Sequence, residues 1–423
     1  MTDSPFSQAL AGIMARLHAS MDEIPAQLWN ALLAQQNQPT PFMRHEYLLA
    51  MEQSQSATAE TGWQPQHLCL WHEGRLLAAC PLYLKSHSWG EYVFDFAWAN
   101  AYERHGLPYY PKALVAPPFT PTPGSRLLAI DHAHRALLVQ ALMQLCGEQQ
   151  LETAHVLFLS EQDQQACTEQ GWLLRKGVQF HWRNQKPGSA DRFETFTHFL
   201  ESLQREKRKK IKQEMRKVAD AGVHYRIARG SAISTEDWAF FYQCYATTYR
   251  EHGNAPYLTP AFWQAMQSAM PENWLMLIAE REQRPIATSL LALHDKQLHQ
   301  GQENIAYGRY WGAIERIDCL HFDLCYYQPL AWCIAHGFDR FEGGAQGEHK
   351  LARALLPEST YSAHWIAHPQ FEAAIANHLA HESKGVQQYQ LQLQDHSPYR
   401  SPAAQANSPQ SGDANTQLAS NPD

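Results

Sequence analysis

The chain has 423 residues, a formal net charge of −8 and 44% hydrophobic residues, so it can bury large cores. This length exceeds the size at which one core usually keeps growing, and two domains are therefore expected. No run of about 18 apolar residues occurs, which argues against a membrane span. The N-terminus lacks the basic and apolar regions of a secretory signal, so a cytoplasmic protein is expected.

The bulk composition and short motifs exclude several classes of site. The eight cysteines form no Cys-x-x-Cys pair, which favours reduced, buried thiols. The nearest approach to a metal-ligand pattern is 131–134, Asp-His-Ala-His, whose surroundings indicate a helix start, so no metal site is expected. The absence of Gly-x-Ser-x-Gly, Walker A and Gly-x-Gly-x-x-Gly motifs argues against serine hydrolases, P-loop proteins and Rossmann folds.

Hydrophobic periodicity predicts the same order of elements twice along the chain. Each series contains a helix, a β-hairpin, a second helix and a further strand. In the first series these elements fall at 43–53, 66–84, 133–145 and 155–159, and in the second at 238–252, 274–294, 321–336 and 338–341. The hairpins 73–78 and 282–287 can be laid on each other. Helices that join strands in this way favour mixed sheets with helices on their faces.

This duplication predicts an α/β protein with two domains of similar topology. The expected boundaries are an N-terminal domain at 1–190, a connecting basic helix at 191–222 and a C-terminal domain at 223–390. Beyond these the chain is rich in Gln, Ser, Pro and Asn, so residues 391–423 are expected to be a disordered tail.

The connecting helix carries an unusual charge. Residues 205–217 hold eight basic and two acidic side chains, and helix-forming residues fill the segment. It is interpreted either as a solvated helix face or as a surface for a polyanion such as RNA or a nucleotide-linked substrate. The acidic remainder of the chain argues against a general nucleic-acid binder.

A glycine-rich turn between a strand and a helix concentrates the most chemistry. Its backbone N–H groups could hold an anion or oxyanion, with Glu348 or His349 as proton acceptor and Lys350 as counter-charge. Alternatively the glycines only make a tight turn, and Glu348 only favours the helix N-terminus. The candidate residues here are Gly344, Gln346, Gly347, Glu348, His349, Lys350 and Arg353.

A long connection rich in Tyr, Trp and Pro at 88–126 is a second candidate. Such connections often bind ligands, although the aromatic side chains could equally cap the edge of a core. The side chains expected to contact substrate are Glu91, Asp95, Tyr109, Tyr110, Lys112 and Arg126.

A third candidate lies between a strand and the helix that begins near 318. Acyl-CoA-dependent acetyltransferases carry Gln/Arg-x-x-Gly-x-Gly/Ala at this place, where backbone N–H groups hold the pyrophosphate. Arg309-x-x-Gly312 matches this pattern, but Ile314 fills the final small position. A bulky side chain there would obstruct a closely bound diphosphate.

Four segments resemble the Fem-like, GNAT-fold family of N-acyltransferases linked to peptidoglycan biosynthesis. They are 90–95 (Gly-Glu-Tyr-Val-Phe-Asp), 109–112 (Tyr-Tyr-Pro-Lys), 325–328 (Cys-Tyr-Tyr-Gln) and 342–350 (Glu-Gly-Gly-Ala-Gln-Gly-Glu-His-Lys). The resemblance extends over about 40–385 and implies tandem GNAT-like domains. Fem enzymes carry an extended coiled-coil arm, whereas the basic helix here is short.

The resemblance implies transfer of an acyl or aminoacyl group to an amine, with acyl-CoA or aminoacyl-tRNA as co-substrate and no tightly bound cofactor. A cell-wall precursor is the expected acceptor, and the basic helix would contact tRNA. The proton donor is expected to be Tyr361 or His321. Two other hypotheses stay open: a non-catalytic protein that binds a cell-wall precursor or nucleotide-linked ligand, and an RNA-binding module.

Overall fold

The computed structural model describes residues 12–299, 301–344 and 347–400 and has a mixed α/β architecture, which confirms the predicted fold class. The strands are β1 Met14–His18, β2 Trp63–Pro65, β3 His67–His72, β4 Arg75–Cys80, β5 Leu82–Lys85, β6 Lys112–Val115, β7 Leu128–Ala129, β8 Thr153–Leu157, β9 Leu173–Arg183, β10 Val223–Arg229, β11 Trp274–Arg281, β12 Arg284–His294, β13 Ile305–Ala313, β14 Arg340–Glu342 and β15 Leu356–Ile366. The helices are α1 Ala26–Ala34, α2 His45–Gln53, α3 Phe96–Arg104, α4 His132–Glu148, α5 Glu161–Glu169, α6 Phe196–Ser202, α7 Arg205–Asp220, α8 Thr235–Glu251, α9 Pro260–Ala269, α10 Lys296–His299, α11 Leu320–Phe322, α12 Gln328–Ala335 and α13 Pro369–Asp395.

The two halves of the chain, 12–183 and 223–366, repeat one topology. Each contains an antiparallel hairpin, β3 with β4 and β11 with β12, and each later adds a parallel strand after a helix. In the first half Pro81 divides the hairpin's second strand into β4 and β5, because proline cannot donate to the strand ladder. β4 therefore lies in a four-stranded sheet, β1-β3-β4-β7, and β5 in a larger one.

The larger sheet has eleven strands in the order β10-β11-β12-β13-β14-β9-β15-β8-β6-β5-β2. The halves exchange their last strands in its centre. β9 of the first half pairs antiparallel with β14 of the second, and β15 of the second half pairs antiparallel with β8 of the first. β9 falls within the range predicted for the N-terminal domain, yet it extends the sheet of the second half.

Apolar side chains alternate along the strands and build a core on each face of the second half's sheet. On β11, Met276 and Ile278 face a core formed with α8 and α9, while Leu275 and Leu277 face a core formed with α7 and α12. This period of two is what a strand buried on both faces requires. Helix α8 begins with a capping box in which Ser234 and Asp237 bond each other's backbone N–H groups.

The basic helix α7 is amphipathic rather than fully solvated. Ile211 and Val218 are buried, and the buried Glu214 also points to the second half. Lys209 and Lys210 are exposed. The helix ends where Gly222 adopts a φ of +77°, a conformation that favours glycine.

The helix predicted at 321–336 contains a π-helical turn. α11 continues through the π turn Asp323–Tyr327 into α12, and Pro329 lies in the first turn of α12. The wide turn presents Tyr326 and Tyr327 to neighbouring elements.

The C-terminal segment is more ordered than predicted. α13 continues to Asp395, so the expectation of disorder from residue 391 is wrong for 391–395, and Tyr399 forms a β-bridge with Leu203. Residues 401–423 lie outside the described part of the chain. Within that part, no helix has the length and apolar character needed to cross a membrane.

Candidate functional site

The glycine turn follows the short strand β14 and is shaped by close packing. A side chain at Gly343 would overlap Leu355, while Gly344 and Gly347 adopt φ values of +81° and +119°. The Lys350 ammonium donates to the Gly344 carbonyl oxygen at 2.9 Å. Lys350 thus holds the turn in shape as well as carrying charge. Gln346 lies outside the described residues.

Three of the predicted residues meet around the π turn. His349 Nε2 lies 3.1 Å from the Tyr326 hydroxyl, and the His321 and Tyr326 ring centroids are 5.8 Å apart. The Arg353 guanidinium lies 3.5 Å from the centroid of the Phe322 ring. We call His321, Tyr326, His349 and Arg353 the histidine cluster.

The pKa values of the basic groups in and beside the histidine cluster are lowered. Burial, together with His349 and Arg353 nearby, lowers the pKa of His321 to about 4. Burial, then Arg353 and Lys350, also lowers the pKa of His349, and burial lowers that of Lys350 to about 8. Both imidazoles are therefore neutral near pH 7 and can accept a proton.

Helix α7 supplies a carboxylate that fixes the cluster. Arg353 Nη2 lies 3.3 Å from Glu214 Oε2, and the Tyr327 hydroxyl donates to the same carboxylate. Arg353 Nη1 also donates to the His349 carbonyl oxygen at 2.7 Å. Sequence reasoning missed Glu214 and Tyr326. Tyr326 lies in the segment 325–328, whose resemblance could have indicated it, whereas Glu214 is concealed within a run of basic residues.

A cavity of about 570 Å³ opens beside His321. Its walls come from the end of β13, the following loop and α8. The lining residues include Thr248, Trp311, Ile314, Arg316 and Leu320. The cavity lies where the sequence predicted a diphosphate-binding turn.

The predicted diphosphate-binding residues have other roles. Residues 309–313 belong to β13, and a side chain at Gly312 would overlap the backbone of Cys244 in α8. Gly312 therefore permits close packing of strand and helix. A bulge at Arg309 puts its side chain on the same face of the sheet as Tyr310, where its Nη2 donates to the Phe119 carbonyl oxygen at 2.6 Å. Ile314 is exposed at the cavity.

Two of the residues predicted to transfer protons lie outside the histidine cluster. Glu348 is exposed, and its carboxylate accepts from the Tyr389 hydroxyl at 2.8 Å. Tyr361 lies on β15 opposite Lys176 of β9 and packs against the core of the first half. The structure therefore does not bring Glu348 or Tyr361 together with the two histidines.

Five residues of the aromatic connection form a buried ionic centre, which we call the lysine cluster: Ser88, Glu91, Asp95, Tyr109 and Lys112. Lys112 Nζ donates to Ser88 Oγ and Glu91 Oε2, each at 2.8 Å, and also to Asp95 Oδ2. The Tyr109 hydroxyl donates to Asp95 at 2.6 Å. Tyr110 contacts the edge of the lysine cluster through Ser88 at 2.8 Å.

The two carboxylates of the lysine cluster have pKa values that are shifted in opposite directions. Burial acts to lower the pKa of Lys112, but its two carboxylate partners raise it. Burial raises the pKa of Glu91 to about 7 against the opposing effect of Lys112. For Asp95 burial acts to raise the pKa, but the Lys112 ammonium, His155 and the hydrogen bonds from Lys112 and Ser88 together lower it well below its usual range. The lysine cluster is a charge-compensated core centre, so direct substrate contact by these residues stays a prediction.

Arg126 is separate from the lysine cluster. It is fully buried, its Nε donates to the Leu157 carbonyl oxygen at 3.0 Å, and burial lowers its pKa to about 10. Its backbone N–H donates to Asp163 Oδ2 at 2.7 Å. Similarly, Asp131 caps α4 by accepting from the His134 N–H. Both residues support the fold at these contacts.

The FemAB_like family model, described as peptidoglycan biosynthesis/recognition, matches residues 20–401. This match covers most of the chain. The chain belongs to the FemAB_like family.

Solved structures similar in fold to this FemAB_like protein include FemX, with 10% identity over 84% of this chain and 98% of that one and a TM-score of 0.49. Another is L-PGS from Bacillus licheniformis, with 8% identity, 83% and 95% coverage and a TM-score of 0.49. A third is a tandem GNAT protein from the clavulanic acid biosynthesis pathway, with 11% identity, 84% and 99% coverage and a TM-score of 0.42. No curated protein matches the chain.

The FemAB_like chain has two further polar sites, where the exchanged strands meet their new partners. At the first crossing, β15 places His364 opposite His155 of β8. At the second crossing, β9 places His181 opposite Glu342 of β14. Sequence reasoning missed both sites. The only local signal is a polar residue two positions before each strand histidine, Ser362 and Gln179.

Proposed function

We propose that this protein is an N-acyltransferase that moves an acyl or aminoacyl group to an amine of a cell-wall precursor. The observation that supports this most directly is the neutral imidazole of His321 at the cavity at the end of β13, with the neutral imidazole of His349 in the same histidine cluster. Neutral imidazole is the form that removes a proton from an attacking amine. Membership of a family described by peptidoglycan biosynthesis and recognition supports the acceptor class.

In the proposed reaction the amine nitrogen attacks the acyl carbonyl carbon, a C–N bond forms, and the thioester or ester bond breaks. His349 takes the amine proton, because Glu348 is turned towards Tyr389. Tyr326, which is hydrogen-bonded to His349, gives a proton to the leaving group and recovers one from His349. Backbone N–H groups of the glycine turn stabilise the oxyanion.

The donor is proposed to be acyl-CoA or aminoacyl-tRNA. For a tRNA donor, the exposed face of α7 with Lys209 and Lys210 would contact phosphates. For acyl-CoA, the cavity at Trp311 to Arg316 would hold the donor, and the exposed lysines would have no part. The two donors therefore differ in which surface they need.

A transfer assay tests the proposal. Purified protein is mixed with labelled acetyl-CoA or aminoacyl-tRNA and a cell-wall precursor peptide that carries a free amine. We expect transfer with one donor and a fall in kcat of about 100-fold or more for His349→Ala, the usual scale for a lost acid-base group. Glu348→Gln is the matched control and should keep activity. Full activity in His349→Ala would contradict the assigned base.

Charge reversal of Lys209 and Lys210 distinguishes the donors. The double change to glutamate should weaken transfer from tRNA, most strongly at low salt, and leave transfer from acetyl-CoA unchanged. If neither donor supports transfer but the precursor peptide alone raises the melting temperature, the protein is a binding protein and the proposed catalysis is wrong.

A further inference from the structure

A second cavity lies at the centre of the molecule, apart from the histidine cluster. This central cleft has a volume of about 320 Å³ and runs along β9 and β15. The loop at 92–94 and helix α13 form its other walls. Ser362 is among the lining residues although it is only 3% exposed. The proposed transfer reaction uses no residue of this cleft.

Strand geometry directs a row of polar side chains to one face at the cleft. Thr360, Ser362 and His364 alternate along β15 and share a face. Their partners on β9 include Gly177, opposite Thr360, where a side chain would come within 2.9 Å of Thr360 Oγ1. The glycine therefore leaves space in front of this row.

Ser362 begins a hydrogen-bonded chain that leads into the core. Its Oγ lies 2.9 Å from His364 Nε2, and His364 Nδ1 lies 2.7 Å from His155 Nδ1. His155 Nε2 then lies 3.0 Å from Thr153 Oγ1, 3.4 Å from the Tyr109 hydroxyl and 3.8 Å from Asp95 Oδ2. The chain thus connects the cleft with the lysine cluster.

The groups at the inner end of the chain suit one arrangement of protons. Asp95 is an ionised acceptor, and Tyr109 already donates its proton to Asp95, so both oxygens face His155 Nε2 as acceptors. In the Nε2–H tautomer of His155, Nε2 donates to the Thr153 hydroxyl oxygen at 3.0 Å, and Nδ1 accepts a hydrogen bond from His364. That bond requires a proton on Nδ1 of His364, which leaves Nε2 of His364 as the acceptor facing the Ser362 hydroxyl.

Both histidines are neutral. Burial, then the Lys112 charge, lowers the pKa of His155 to about 3. Burial and the neighbouring His155 place the pKa of His364 well below its usual value. A neutral imidazole whose Nε2 accepts from a serine hydroxyl can act as the base that activates that hydroxyl.

We propose that Ser362 is a nucleophile that accepts an acyl group from an activated ester or thioester bound in the central cleft. Ser362 Oγ attacks the acyl carbonyl carbon as its proton passes to His364 Nε2. The new C–O bond forms, the C–S or C–O bond to the leaving group breaks, and the proton on His364 passes to that group. Water or an amine then cleaves the acyl-serine ester and regenerates the hydroxyl.

The walls of the cleft indicate which acyl groups it takes. Tyr92, Phe94 and Phe158 line it with aromatic surface. Its one arginine side chain on the serine's face, Arg175, is paired with Glu382 by hydrogen bonds of 2.8 and 2.7 Å. The acyl group is therefore expected to have an apolar body without a negative charge.

Acylation of the full chain tests this proposal. The probes are p-nitrophenyl acetate, which should release p-nitrophenolate in a burst and add one acetyl group, and an alkyl fluorophosphonate, which labels activated serines. Mass spectrometry of the intact protein and its peptides locates the label. We expect both probes to modify Ser362 in the wild type, and no label on the wild-type serine with either probe would overturn the proposal.

Four variants sharpen the result. Ser362→Ala should lose both labels, whereas Ser359→Ala, which removes an exposed hydroxyl on the same strand, should keep them. His364→Gln should label at least about 100-fold more slowly, the scale of a lost general base. Ser362→Cys should still be acylated, which shows an intact cleft. Labelling that persists in Ser362→Ala, or an unchanged rate in His364→Gln, would refute the mechanism.

These outcomes do not depend on the amine-transfer proposal. Labelling of Ser362 needs neither the histidine cluster nor a natural donor. His349→Ala should therefore keep the Ser362 label while it loses amine transfer. Loss of the Ser362 label in His349→Ala, with the fold intact by circular dichroism, would contradict two independent sites.

Discussion

The two strand crossings have the same backbone arrangement but different chemistry. At each crossing the exchanged strand, β15 or β9, places a histidine opposite a residue of β8 or β14. The residue two positions before that histidine contacts it: Ser362 lies 2.9 Å from His364, and Gln179 lies 3.3 Å from His181. At the first crossing the opposing residue is His155, and at the second it is Glu342.

This single difference changes how each crossing handles charge. At the first crossing, a hydrogen bond joins His364 to His155, and the ionised Asp95 carboxylate lies 3.8 Å from His155 Nε2. At the second, Glu342 is 3% exposed, and its Oε1 has no hydrogen-bond partner among the described residues. Burial raises the pKa of Glu342 to about 7 despite the nearby Arg340. The repeated topology therefore sets where the residues of the two crossings lie, and the neighbouring side chains set their protonation states.

The largest expected loss of stability is at the lysine cluster, next to the first crossing. Lys112→Met would leave Glu91 and Asp95 buried without their shared cation, and loss of one partner of a buried ion pair costs about 3–5 kcal/mol. Urea unfolding measures the change. Lys209→Met, on the exposed face of α7, is the control and should shift stability by less than about 0.5 kcal/mol. If Lys112→Met lowered the free energy of unfolding no more than Lys209→Met does, the carboxylates of the lysine cluster would not need Lys112 to compensate their charge.

The second crossing should make stability fall as pH rises. An unfolded glutamate ionises near pH 4.5, whereas folded Glu342 keeps its proton to about pH 7. The stability contribution is thus present below pH 4.5 and lost between about 4.5 and 7. Glu342→Gln removes this dependence, worth about 3 kcal/mol at 1.36 kcal/mol per pKa unit. Unfolding at pH 4.5 and pH 8 measures it, with Glu358→Gln on β15 as control, and an unchanged pH profile would disprove the burial argument.

A smaller loss of stability is expected at a point where corresponding strands of the two halves differ in length. β13 extends to Ala313 and passes α8 at Gly312, whereas its counterpart β6 ends at Val115. Gly312→Ala forces a methyl group against the Cys244 backbone and should cost about 1–3 kcal/mol, as overpacking usually does. Thermal unfolding checks it. Gly147→Ala in α4, where a methyl group meets no atom within 4 Å, should be neutral or stabilising.

The smallest expected effect concerns the polar residue before the second crossing's histidine. Gln179 Nε2 donates to the Pro121 carbonyl oxygen at 2.8 Å. Gln179→Met keeps the length of the side chain and removes this bond, so a loss of about 1 kcal/mol is expected by urea unfolding. Gln144→Met on an exposed helix face is the matched control. An equal change in the free energy of unfolding in both variants would show that the hydrogen bond from Gln179 to Pro121 contributes nothing to stability.

The repeated order of elements could be predicted because each hairpin and helix has its own local hydrophobic period. The exchange of β9 and β15 could not, since strand pairing between distant segments leaves no local mark on either. The structure brings His321, His349 and Arg353 together, three residues that the sequence assigned to the predicted site. It turns Glu348 towards Tyr389, because consecutive residues of the short 3₁₀-helix point in different directions.

The exchange of β9 and β15 also sets the order in which the protein can mature. During synthesis the first half emerges with β8 still lacking its neighbour, which is supplied by a strand about 200 residues further on. An open strand edge is a template for intermolecular pairing until it is covered. The nascent N-terminal half is therefore the stage at which chaperone protection matters most, and the two halves are expected to acquire protease resistance together when β15 docks.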